Sequence, residues 1–166
     1  MLDDLLAPDL RLVICGSAAG FRSAERQEYY AGQGNQLWST LAAVGLTPRQ
    51  LSPGEYRQLL DSGIGLTDMV KGQAGGDIHV RYEKDAAEVV REKIERYRPR
   101  IVCFNGKRAA RAFLGREVVS YGQQQDRVGS TILFVAPSTS GAARGYWSIE
   151  PWREVARLAA TSQAAI

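Results

Sequence analysis

The sequence predicts an α/β fold, a three-layer α/β/α sandwich around a central, mainly parallel sheet. Two observations carry this. Three short apolar runs, Leu12 to Cys15, Ile101 to Phe104 and Thr131 to Val135, read as strands buried on both faces, which is the pattern of a parallel sheet. Between and after them, apolar residues recur at three- and four-residue spacing, and strands alternating with such helices imply crossover units wound on one sheet. At 166 residues the chain has the size of one domain, residues 1–166, and can bury about two thirds of its unfolded surface.

Taken in order, Met1-Leu2-Asp3-Asp4-Leu5-Leu6 begins with acids, where a signal peptide carries bases ahead of an apolar core. The first strand runs straight into Gly16-Ser17-Ala18-Ala19-Gly20, a loop of small residues at the carboxyl end of a sheet, where open α/β folds hold ligands. Leu37, Leu41 and Val44 share one face of a helix, and Gly72 to Asp77 is a loop by composition. From Tyr82 to Tyr97, residues Ala86, Val89, Val90, Ile94 and Tyr97 line one helical face, with Glu and Arg opposite. A helix from about Gly106 to Leu114 ends at Gly115, because glycine takes the left-handed cap at no steric cost. The run Thr131 to Val135 breaks at Ala136-Pro137 into Ser138-Thr139-Ser140-Gly141-Ala142-Ala143-Arg144, a late loop of small residues. Trp152, Val155, Ala156 and Ala159 mark a last helix, beyond which Thr161 to Ile166 are expected to fray. One early loop and one late loop suggest a clamp.

Composition narrows the partners. With 21 basic and 18 acidic residues the formal charge is +3, so long-range attraction to a polyanion is modest and any contact with one must come from local placement of Arg and Lys. Cys15 and Cys103 sit inside apolar runs as small buried hydrophobes, which fits a reduced, cytoplasmic setting. Two scattered thiols and a single His79 offer no zinc pattern, so no metal is expected. No apolar run approaches the roughly 18 residues of a membrane span.

The two loops resemble those of the mismatch-specific uracil-DNA glycosylases, bacterial relatives of thymine-DNA glycosylase in the uracil-DNA glycosylase superfamily. The family's first loop, Gly-Ile-Asn-Pro-Gly, stands here as Gly16-Ser17-Ala18-Ala19-Gly20, and its late Asn-Pro-Ser-Gly loop with a following Arg stands as Ala136 to Gly141 with Arg144. Asn35-Gln36-Leu37-Trp38, Gly45 to Leu51, Leu59-Leu60-Asp61 and Gly63-Ile64-Gly65-Leu66-Thr67 follow the family order, so the resemblance spans about residues 2–158. It implies a uracil-DNA glycosylase-like sandwich and a monomeric DNA-repair enzyme that needs no cofactor. Its DNA partner would contain uracil or another deaminated or mismatched base. The family's water-positioning asparagine falls on Ala18, which cannot orient a water.

Removing a base requires the nucleotide to leave the stack and enter a tight pocket. Cleavage builds negative charge on the base and positive charge on the sugar, so fixed donors should face the one and a carboxylate or oriented water the other. The Gly16 to Gly20 loop can supply backbone N–H groups to the base. With Ala18 silent, Asp68, where an apolar segment ends, is the first choice for the carboxylate, and Asp77 in the glycine-rich loop the second. A helix cap or a solvated acid is the plain alternative for Asp68. The resemblance places Tyr30 on the extruded base and Ser23 near the pocket, while Asn35 reads best as a helix cap. In the late loop Ser138, Thr139 and Ser140 can reach phosphates; the resemblance implies that this loop acts as a wedge filling the space left by the flipped nucleotide, with the wedge residue among Gly141, Ala142 and Ala143, and Arg144 can enter the duplex or hold a phosphate. Tyr146 and Trp147 read as core anchors of that loop, and Lys71, Lys107 and Arg108 as possible backbone contacts. Two rival readings remain: a lesion-binding module that lost catalysis with its asparagine, and a small-molecule nucleotide-binding protein.

Overall fold

The computed structural model describes residues 2–71 and 84–160. Its elements in chain order are β1 (Leu12–Gly16), α1 (Phe21–Arg26), α2 (Leu37–Ala43), a 3-10 helix at Pro53–Ser62 and β2 (Ile64–Asp68). Then come α3 (Ala86–Tyr97), β3 (Ile101–Asn105), α4 (Lys107–Leu114), β4 (Gly122–Val128), β5 (Thr131–Ala136), a 3-10 turn at Gly141–Tyr146 and α5 (Glu150–Ala160). The strands form one sheet in the order β2-β1-β3-β5-β4. Every pairing but the last is parallel, and β4 runs antiparallel to β5 at the edge.

The expected sandwich is present. Alternate strand residues point to opposite faces: Leu12, Ile14, Leu66, Cys103 and Phe134 pack with α2, the Pro53–Ser62 helix and α5, whereas Val13, Cys15, Val102, Phe104 and Val135 pack with α3 and α4. All five residues of β1, β2 and β3 are buried, as a sheet covered on both faces requires. Gly115 caps α4 at φ 67°, in the left-handed conformation its sequence position implied.

Several elements were not evident in the sequence. β4 is polar, Gly-Gln-Gln-Gln-Asp-Arg-Val, and its middle is largely exposed because it is an edge strand. β2 is shorter in apolar signal because Gly65 interrupts it, and that glycine has a steric cause. The N-terminal segment crosses β2, where Leu5 and Leu66 form an antiparallel bridge with N···O distances of 2.9 and 2.8 Å. A Cβ on Gly65 would lie 2.5 Å from the Leu5 carbonyl oxygen. The glycine-rich loop with Asp77, together with His79, Tyr82 and Thr161 to Ile166, lies outside the described residues.

Candidate active site

The carboxyl ends of the parallel strands converge on one edge of the sheet. Because β1 continues into β2 on one side and is joined by β3 on the other, the strand order reverses at β1, the point at which open α/β sheets hold their ligands in a crevice. The residues at that edge are Gly16 of β1, Asp68 of β2, Asn105 of β3 and the loop after Ala136 of β5. Gly16 and Asp68 are in direct register. Past the strand ends the ladder continues, with Met69 N–H donating to the Gly16 carbonyl at 2.7 Å and Val70 N–H to that of Ser17 at 2.9 Å, so the early loop is pinned.

Gly16 has no room for a side chain. A Cβ there would stand 3.0 Å from Asp68 Oδ1 and 3.0 Å from Tyr30 Oη. The missing side chain therefore lets a carboxylate and a phenol meet over backbone. Asp68 is buried, which excludes the solvated acid, and it ends a strand, which excludes the helix cap. Its Oδ2 is 3.1 Å from Lys71 Nζ. Burial pushes the Asp68 carboxyl above the usual 3.8 against the pull of Lys71.

Tyr30 is set by its backbone. It occupies the left-handed region at φ 52°, a conformation that a non-glycine residue takes at a cost and that often marks functional turns. The turn is braced twice: Ser23 Oγ accepts from Ala31 N–H at 2.8 Å, and the Trp38 indole N–H is shared by the Tyr29 and Tyr30 carbonyls at 3.3 Å each. The Tyr30 hydroxyl is buried without a hydrogen-bond partner among the described residues, with the Asn105 side chain nearby but outside bonding geometry. Burial, then Asp68, raises its pKa well above the usual 10, so it remains a donor at neutral pH. Ser23 thus supports the pocket wall through the turn.

Asn105 is the residue the sequence reading missed. Its Oδ1 accepts from Thr139 N–H at 2.9 Å and its Nδ2 donates to Thr139 Oγ1 at 2.9 Å, tying β3 to the late loop. The signal was available: Asn105 is the first polar residue after an apolar parallel strand, the same position that drew attention to Gly16.

The late loop needs three corrections. Thr139 is fully buried with its hydroxyl taken by Asn105, so it fastens the loop and does not reach a phosphate. Gly141 packs on the Gln33 and Gly34 backbone, where a Cβ would come within 3.0 Å of the Gln33 carbonyl oxygen, so it is set into the protein and not free to act as a wedge. Tyr146 is 79% exposed and no core anchor, whereas Trp147 does pack on the core. Ser138 and Ser140 accept from Ser140 and Ala142 N–H groups, and Ala142 and Arg144 are exposed at the rim. Asn35 Oδ1 accepts from Leu37 N–H at 3.0 Å, but the N-cap of α2 is Gln36, so Asn35 braces the entry to the helix from one residue ahead of the cap and is not the cap itself. In the early loop Ala18 and Ala19 pack on opposite cores, and a Cβ on Gly20 would meet nothing within 4 Å, so the crevice is open there.

Lys71 is likewise no backbone contact for DNA. Its ammonium lies 2.8 Å from Asp4 Oδ1 and donates to the Tyr29 hydroxyl at 3.0 Å and the Leu2 carbonyl at 2.9 Å. Burial opposes its charge, but Asp68, Tyr29 and Asp4 outweigh burial and raise its pKa. Lys107 stacks over the Tyr121 ring at 4.4 Å. Among the described residues no cluster of His, Cys, Asp and Glu could hold a metal, and no helix is long and apolar enough to cross a membrane.

Comparison with known proteins agrees with this geometry. Residues 4–160 match the model of the uracil DNA glycosylase superfamily. The solution NMR structure of a proposed uracil DNA glycosylase from Methanosarcina acetivorans superposes with a TM-score of 0.56 at 20% identity, covering 95% of this chain and 94% of that one. At that identity the likeness is one of fold.

Proposed function

The chain belongs to the uracil DNA glycosylase superfamily, and on that premise we propose that it is a monofunctional DNA glycosylase of the mismatch-specific branch, excising uracil or another deaminated base by water attack. The observation that carries this is the buried Asp68 carboxylate at the carboxyl end of β2, beside Gly16 and Tyr30, in a chain whose Ala18 cannot orient a water. In the reaction the bond from C1′ to the base nitrogen breaks with its electron pair leaving on the base. Water oxygen bonds to C1′, and Asp68 takes the water proton while its charge stabilises the cationic sugar. The phenol of Tyr30, the Asn105 carboxamide and the backbone N–H groups of residues 17–20 are the donors at the same sheet edge, suited to a departing base anion. Tyr30 can also offer its ring to the base, a stacking contact worth about 1–3 kcal/mol. On the rim, Ala142, Ala143, Arg144 and the exposed Tyr146 face the duplex.

The second reading, a lesion-binding module, is favoured by one fact alone: Ala18 stands where the family's asparagine orients water. One experiment separates the two. Labelled duplexes carrying uracil are incubated with the protein, treated with alkali and resolved by length. Strand cleavage at the uracil supports the enzyme, and tight binding without abasic sites establishes the module.

A further inference from the structure

The groups around Asp68 form a connected set that the excision chemistry does not by itself demand. Lys71 sits one turn of chain beyond Asp68, yet its ammonium is held chiefly by elements distant in sequence: Asp4 and the Leu2 carbonyl from the N-terminal segment, and the Tyr29 hydroxyl from the turn after α1. Tyr29 in turn donates to the Asp3 carbonyl at 2.7 Å. Asp4 is itself shared, its Oδ2 lying 2.7 Å from Lys93 Nζ of α3 and its Oδ1 accepting from the Thr67 hydroxyl at 2.8 Å. A lysine that served only to neutralise a surface would not have three such anchors, because long side chains lose entropy when fixed.

We infer that Lys71, locked by Asp4 of the N-terminal segment, is a positioning residue that aims the Asp68 carboxylate at Gly16 and Tyr30 and holds it in its charged form. This deepens the glycosylase reading and rests on Asp68 as its base. The geometry divides the two carboxylate oxygens. Oδ2 is bound to Lys71, which leaves Oδ1 as the atom nearest Gly16 and Tyr30. Among the described residues, the charged and titratable groups facing Asp68 are Lys71, Asp4, Lys93 of α3, Tyr29, Tyr30 and Cys15 of β1. Of these only Lys71 and Lys93 favour its ionised form, and Lys71 is the one in contact. Burial raises the carboxyl, and Lys71 limits the rise.

The test compares Lys71→Gln, which keeps donors but removes charge, with Lys71→Arg, which keeps both. Two quantities are read: the midpoint at which the Asp68 carboxyl titrates, followed by carbon NMR, and the acid limb of the single-turnover excision rate. Lys71→Gln is expected to raise both by roughly one to two pH units, the usual effect of losing a contacting opposite charge, and Lys71→Arg to restore them. Lys71→Met removes the charge and keeps the length of the side chain, so it should move both the same way, and it serves if Lys71→Gln does not fold. Asp68→Asn is assayed alongside. If Asp68→Asn excises like the parent, the base role fails. If Asp68→Asn is inactive while Lys71→Gln, or Lys71→Met in its stead, titrates and reacts like the parent, the positioning role is overturned.

Discussion

Gly16 shows how much of the site depends on a side chain that is absent. Its bare Cα lets Asp68 Oδ1 and the Tyr30 hydroxyl approach one point, so the proposed chemistry would rest on three residues drawn from two strands and a turn. Asp68→Asn keeps the shape and removes the proposed base. Single-turnover excision is expected to fall by about 10²-fold or more while affinity for uracil-containing DNA changes little, since proton transfer and charge stabilisation act in the transition state. A quenched-flow rate together with an anisotropy titration checks both halves. The pH dependence has a definite sign. The base must be ionised, and burial raises the Asp68 carboxyl, so the parent rate should fall on acidification at a pH above the 3.8 of an ordinary aspartate. A limb at or below that value would place the proton acceptor elsewhere.

At the scale of elements, the N-terminal segment and β2 depend on one another. Leu5 bridges Leu66 only because Gly65 gives its carbonyl room, and that crossing delivers Asp4 to Lys71. Gly65→Ala would set a methyl 2.5 Å from the Leu5 oxygen and 2.7 Å from Leu10 Cδ1. The expected cost is about 1–3 kcal/mol of stability, typical of overpacking, read as a lower urea midpoint. Here the limits of sequence reading are physical. β1, β3, β5 and the helices α2 to α5 were legible because burial on two faces or one leaves a periodic trace. β4 left none, since an edge strand is solvated, and α1, six residues long, is too short to show a period. Asp68 stood out as an acid closing an apolar run. Asp4 could not, because its importance comes from a crossing of two segments, and Thr139 looked like a phosphate contact because nothing local to it reveals Asn105.

Over the whole molecule, a charge of +3 leaves DNA affinity to a few placed cations. Arg144, exposed on the late loop with Nη2 3.4 Å from where a Gly34 Cβ would lie, is the one we propose for this role. Arg144→Ala is expected to weaken binding to a uracil-containing duplex more than to a uracil-containing single strand, because extrusion costs a few kcal/mol only where the base is paired and stacked. Equal losses on both, with a salt slope shallower by about 1, would instead make it a clamp on the backbone. The strand order has a further consequence, for folding. The site gathers Asp4, Gly16, Tyr30, Asp68, Asn105 and Thr139, and β1, the first strand made, must wait for β3 from far along the chain. Such nonlocal pairing closes long loops before contacts reward it and is slow. While a ribosome is still delivering β5, Asn105 has no Thr139 to hold it, so the crevice is among the last features of the protein to take its shape.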